Sequence, residues 1–172
     1  MDTSIHFKAP WSAGLRRRSL LGVAVLAIGA AASIIAWQRT GDPLALLLIA
    51  LLLLVLLAAS LCMVKGYALT NDEIIVKRLG WTTRLPLAGL KSVAGDNEAM
   101  DRSLRLFGNG GLLSYSGYFW NRKIGRYRAW ATDPSRAVVL RYAKRKIVIT
   151  PDDPQRFIVR VRTTLKNIDS GW

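Results

Sequence analysis

Residues Leu20–Trp37 read LLGVAVLAIGAAASIIAW, and residues Leu44–Val64 read LALLLIALLLLVLLAASLCMV. Neither run contains a charged residue. A bilayer's hydrocarbon core is about 30 Å thick, and a helix rising about 1.5 Å per residue spans it with about 20 residues. The second run, of 21 residues, is long enough, and the first, of 18, reaches that length once Ser19 and Gln38 extend it. Neither run shows a polar face. A chain of 172 residues also has too little other mass to enclose two such helices. The expectation is a transmembrane hairpin over residues 19–64, with helices over about 19–38 and 44–64.

Between the runs, Gln38-Arg39-Thr40-Gly41-Asp42-Pro43 carries Gly and Pro, which break a helix and allow a tight antiparallel turn. Trp37 stands where an interfacial aromatic is expected. Gly22, Gly29, Ala30 and Ala32 make the first helix rich in small residues, which let helix backbones approach closely. The flank before the first run has Lys8, Arg16, Arg17 and Arg18, the turn has only Arg39, and the flank after the second run has many basic residues. Positive charge stays inside, so both termini are expected in the cytoplasm, on a multi-pass inner- or plasma-membrane protein. Arg17-Arg18 followed by Ala30-Ala31-Ala32 also fits a cleaved twin-arginine export signal, and the second run would still anchor the chain in that case.

Net charge is +14. From Lys65 onward 20 basic residues face 9 acidic ones, a net +11. So positive a surface attracts a polyanion, nucleic acid or anionic lipid headgroups, and beside a membrane the headgroups are the nearer of the two. Cys62 is alone in its chain, so no intrachain disulfide forms. With His6 as the one histidine, no cluster of the usual nitrogen and sulfur metal ligands exists in the sequence.

After Gly66 the pattern changes to period two. Tyr67–Thr70 and Glu73–Leu79 read as strands about an Asn71-Asp72 turn, and Trp81–Leu85 as a third. Gly95–Arg102 is polar and acidic and reads as a surface loop. Ser103–Phe107 alternates. Tyr127–Thr132 places Tyr127, Ala129 and Ala131 on one face. Ala137–Tyr142 and Lys146–Thr150 flank the basic turn Ala143-Lys144-Arg145. Asp153 then stands as an N-cap with Pro154 in the first helical position. Phe157, Ile158, Val161 and Leu165 recur at helical spacing, which predicts one amphipathic terminal helix.

Particular segments narrow the class. Gly66-Tyr67-Ala68-Leu69-Thr70 follows a membrane helix directly, and Leu85-Pro86-Leu87 comes next. Arg105-Leu106-Phe107-Gly108-Asn109-Gly110-Gly111 and Gly117-Tyr118-Phe119-Trp120 follow, and the chain ends in Ile149-Thr150-Pro151-Asp152-Asp153-Pro154-Gln155-Arg156-Phe157. The region from about Gly66 to Leu165 resembles the membrane-anchored bacterial pleckstrin-homology-like (PH-like) domain families. That resemblance implies an α+β chain: the hairpin, a PH-like partly open β-barrel of about seven strands over residues 66–168, and a closing C-terminal helix. It brings no catalytic residues. Residues 1–18 are left as a basic cytoplasmic segment.

Enzyme signatures fail on inspection. Gly108-Asn109-Gly110 begins like a dinucleotide fingerprint, but Leu113 stands where the third glycine is needed. Asp152 and Asp153 are adjacent carboxylates, but the proline after them marks a helix start. No cofactor or metal is expected, and no catalysis.

The remaining feature is the glycine- and aromatic-rich stretch Phe107–Arg128, read as a loop. Tyr118, Phe119 and Trp120 suit a headgroup boundary, and Arg122, Lys123, Arg126 and Arg128 suit phosphates. The competing reading has these aromatics filling the core and the glycines serving turns. The expected function is non-enzymatic: a PH-like module contacting anionic lipid or a protein partner beside the membrane. The alternative is an assembly or regulatory subunit whose hairpin docks another membrane protein or a second copy of the chain. A nucleic-acid partner is not expected, because no recognition helix stands out.

Overall fold

The computed structural model describes residues 4–169. Both apolar runs form helices, α1 over Ala13–Thr40 and α2 over Pro43–Leu61. Gly41 ends α1 in the left-handed conformation, and the Asp42 side chain caps α2 by accepting the Leu44 N–H at 2.9 Å. Both helices are long and apolar enough to cross a membrane, and only 11% and 6% of their most apolar windows are buried in the protein. A soluble protein's core helix would be enclosed instead.

The helix α1 begins six residues earlier than the apolar run suggested, because Ser12 caps it: its hydroxyl accepts the Leu15 N–H at 3.1 Å. Ahead of it lies a strand that the sequence reading missed. This strand, β1 (Ile5–Lys8), pairs antiparallel with β2 (Val64–Leu69), from Ile5↔Leu69 to Lys8↔Gly66. Within the described residues, the segment over residues 1–18 supplies a strand and the root of a helix to the domain. The chain ends, residues 1–3 and 170–172, lie outside the described residues. Since β1 precedes the helical pair and β2 follows it, the two outer ends of that pair lie on one side.

β1 docks because its neighbours make room. A Cβ on Gly66 would sit 2.7 Å from the Phe7 carbonyl oxygen. The Asp152 carboxylate accepts the Lys8 N–H at 3.1 Å, and the Asp152 N–H donates back to the Lys8 carbonyl at 2.9 Å. Phe7 is buried with its ring edge-on to Phe157, centroids 5.1 Å apart.

The first sheet runs β1-β2-β3-β4, with β3 at Glu73–Arg78 and β4 at Thr82–Pro86. The second contains β5 (Leu90–Gly95), β6 (Leu104–Gly110), β7 (Tyr115–Asn121), β8 (Gly125–Ala131), β9 (Val138–Tyr142) and β10 (Lys146–Ile149), in the order β5-β9-β10-β8-β7-β6. All pairings are antiparallel except β10 with β8. Nine strands therefore follow α2 where about seven were expected, and they form two separate hydrogen-bonded sheets. The Phe107–Arg128 stretch accounts for part of the shortfall: it is no loop but the body of the β6-β7-β8 meander. Its glycines hid it. Gly108 and Gly117 face each other across the ladder, at φ 106° and 146°. A Cβ on Gly108 would run into the Ser116 carbonyl, and one on Gly117 into that of Phe107.

Two hydrophobic clusters use opposite faces of the second sheet. One joins Trp130, Val138, Leu140, Ile147 and Ile149 to the first sheet and to Phe157, Ile158 and Val161 of the terminal helix α3 (Pro154–Asp169). The other joins Tyr127, Ala129, Ala131, Val139 and Val148 to Leu15 of α1 and to Ala99. Asp153 caps α3 as expected, accepting the Arg156 N–H at 2.9 Å.

Candidate functional site

Strand alternation divides the aromatic and basic residues of the meander. On β7, Tyr118 and Trp120 point one way and Phe119 the other, and their partners on β8 are Arg128, Arg126 and Tyr127. Phe119 is buried and stacked on Tyr127, centroids 5.8 Å apart. It fills the core. Tyr118, Arg126 and Arg128 come together on the opposite face, with guanidinium carbons 5.1 Å (Arg126) and 5.3 Å (Arg128) from the Tyr118 ring. Trp120, 39% exposed, lies outside that cluster, in a hollow it shares with Arg122 and Lys123 near the turn. Arg122 and Lys123 sit apart, at the β7–β8 turn, where Lys123 pairs with Asp96 at 2.7 Å and Glu98 at 3.1 Å. Those two hydrogen bonds raise the Lys123 pKa. The seven residues singled out in the sequence thus split among core, turn and cleft.

The cleft has a volume of about 270 Å³ and is lined by Tyr118, Arg126, Arg128, Trp130 and the Lys144-Arg145-Lys146 turn, among others, with no carboxylate in its lining. Arg128 stacks over Trp130 at 4.4 Å. Arg78, at the end of β3, approaches the same ring at 5.9 Å and stacks on Trp81 at 4.5 Å. The Nε atoms of Arg78 and Arg128 are both buried without a hydrogen-bond partner in the protein. Neither residue makes an ion pair among the described residues. Burial lowers the Arg78 pKa; Cys62 opposes this, and the charge on Arg128 adds to it. Arginine does not yield its proton, so the strain stays as uncompensated positive charge.

Arg78, Trp81, Trp130 and the 144–146 turn were not singled out in the sequence. A signal existed: if Tyr127, Ala129 and Ala131 face the core, then Arg126, Arg128 and Trp130 share the other face. Arg78 gave no such hint, because its approach depends on the packing of two sheets.

The domain rests on the helices at two turns. In the β3–β4 turn, the Leu79 and Gly80 N–H groups donate to the carbonyls of Met63 and Leu61, both at 3.0 Å, so Arg78 stands beside the end of α2. In the β6–β7 turn, the Leu113 N–H donates to the Ser19 hydroxyl at 2.9 Å, and Arg18 donates to the Tyr115 hydroxyl at 3.1 Å.

An apolar hairpin, then a strand-rich domain and a closing helix, is the part of the expected outline that the fold shows; the barrel of about seven strands is instead nine strands after α2 in two sheets. A family model described as Bacterial PH domain matches residues 65–165. The chain belongs to the bacterial PH domain family. No curated protein and no solved structure matches it. The match covers β2 through most of α3 and leaves out β1 and both apolar helices. In this bacterial PH domain the first sheet is therefore completed from outside the matched region.

Proposed function

We propose that this protein is a non-enzymatic, multi-pass inner-membrane protein whose cytoplasmic PH-like domain holds anionic lipid headgroups in the cleft on its second sheet, beside Arg78 of the first. The observation that carries the reading is the pair Arg78 and Arg128: two guanidiniums against one tryptophan ring with no ion pair among the described residues, Arg78 donating only to the neutral Thr83 hydroxyl, beside the end of a helix fit to span a membrane. A phosphate supplies what both lack, a charged acceptor within a fork of N–H donors. Lys144, Arg145 and Lys146 add charge at the other wall, each basic residue near an anionic surface contributing about 1 kcal/mol. The positive flanks of the helices support the cytoplasmic side.

A ligand that binds only the folded state raises its stability. The full chain in nanodiscs should melt at a higher temperature when part of the neutral lipid is replaced by anionic lipid. Arg78→Ala with Arg128→Ala should remove that increment. An equal melting temperature in both lipids opposes the reading.

A second reading, contact with a protein, is favoured by β6. It is an edge strand of its sheet and leaves Leu104, Leu106 and Phe107 62%, 55% and 76% exposed. A photo-crosslinker at Phe107 in intact membranes tests it: one discrete protein adduct supports it, and labelling of lipid alone opposes it.

A further inference from the structure

A second cavity lies where α1 meets the β6–β7 turn. It is an open groove of about 450 Å³. Its walls are Leu21, Val25 and Leu26 of α1, Val55 of α2, and Leu112 at the turn. At one end stand Arg18 and Arg105. They converge on the same pair of glycines: a Cβ on Gly110 would sit 3.0 Å from the Arg105 Nη1, and one on Gly111 3.5 Å from the Arg18 Cδ. No carboxylate lines the groove, and neither arginine makes an ion pair among the described residues. Arg18 has a neutral partner, the Tyr115 hydroxyl, which leaves its charge uncompensated.

The order of these groups along α1 is that of a lipid along the bilayer normal. Arg18 precedes the apolar run, and Val25 lies seven residues into the helix beyond it, about 10 Å at about 1.5 Å per residue. A phosphate at the arginines would therefore put its acyl chain against Leu21, Val25, Leu26 and Val55. We infer that this groove holds one anionic phospholipid, its phosphate between Arg18 and Arg105 and an acyl chain along the α1–α2 surface. The site is distinct from the cleft at Arg78 and Arg128. It rests on the reading that α1 and α2 cross a bilayer.

The occupant comes from the surrounding membrane, because two walls of the groove are spans that lipid already bathes. Its retention is what separates it from bulk lipid: apolar walls and a charged end act on one molecule. The β6–β7 turn forms its side nearest the domain, with Leu112 packed so near α1 that a Cβ on Gly22 would lie 2.9 Å from the Leu112 Cδ1.

Native mass spectrometry of the full chain, purified in mild detergent and offered phosphatidylglycerol or phosphatidylcholine, tests this. The expected result is one retained phosphatidylglycerol, with occupancy lowered roughly ten-fold in Arg18→Gln with Arg105→Gln, about the effect of losing one charge-assisted hydrogen bond. Val25→Trp, which fills the groove from the helix without touching the domain, should lower it as well. Arg156→Gln with Arg160→Gln, an equal loss of charge on the exposed side of α3 away from both sites, should leave it unchanged. Equal retention of phosphatidylcholine, or occupancy insensitive to both groove variants, would overturn the inference. Loss in Arg78→Gln with Arg128→Gln, with retention in both groove variants, would assign the lipid to the cleft and equally overturn it.

Discussion

The Tyr67 hydroxyl donates a 2.7 Å hydrogen bond to the Trp130 carbonyl, tying the first sheet to the second. It also accepts the Thr150 N–H at 3.1 Å, and all of these groups are buried. One phenol thus serves β2, β8 and the residue after β10.

Burial pushes the Tyr67 pKa from 10.0 up to about 12, against the opposing effect of the Thr150 hydrogen bonds. Below pH 10 the phenol is neutral in both folded and unfolded chains, and its contribution to stability is complete. As pH rises from about 10 to about 12 the unfolded chain ionises first, so stability falls by about 1.4 kcal/mol per pH unit from this group. Burial also raises Tyr127 and Tyr142, in the same direction. Melting curves of the full chain between these pH values should show a loss that is shallower in Tyr67→Phe. That variant starts less stable at neutral pH by about 1–3 kcal/mol, because the Thr150 N–H and Trp130 carbonyl lose a partner.

The strand ahead of the helices should matter as much as any strand after them. Phe7 is 5% exposed and packs on Phe157, so Phe7→Ala should cost about 3–5 kcal/mol. Leu15, at 0% exposure in the second cluster, gives an independent arm: Leu15→Ala should cost about 2–5 kcal/mol. Thermal unfolding of the full chain in detergent reads both. Losses under about 1 kcal/mol in both would mean that the N-terminal segment is not part of the domain.

Gly108 and Gly117 lie opposite one another with no room for a side chain. Gly117→Ala should lower stability by about 1–3 kcal/mol or more, since a positive φ and a backbone collision both act against it. Gly89, also at positive φ but with nothing within 4 Å, provides the comparison. Gly89→Ala should cost the conformational part alone, which thermal unfolding of the two variants separates.

These features explain what the sequence could reveal. The two apolar helices, the turn between them and α3 were legible because each rests on local chemistry: length of an apolar run, Gly and Pro at Gly41-Asp42-Pro43, an aspartate and proline at Asp153-Pro154. The pair Asp152-Asp153 shows the limit. Asp153 as a cap was readable, whereas Asp152 binds Lys8, 144 residues away, and nothing local announces that. The four-residue strand β1 was too short for a period to emerge. In the meander, glycine was read as loop because its usual role is a turn, and its role here is close approach. The cleft was half legible: alternation on β8 gives Arg126, Arg128 and Trp130 one face, but Arg78 joins them only once the sheets pack.

The most direct test of the account measures hydrogen exchange in the full chain, placed in nanodiscs of neutral lipid and of neutral mixed with anionic lipid. Backbone amides around Arg78–Trp81 and Lys144–Lys146 should exchange more slowly with anionic lipid present, and Arg78→Ala with Arg128→Ala should abolish that difference. Identical exchange in the two lipid mixtures, or protection that survives the double substitution, would contradict a headgroup site in the cleft.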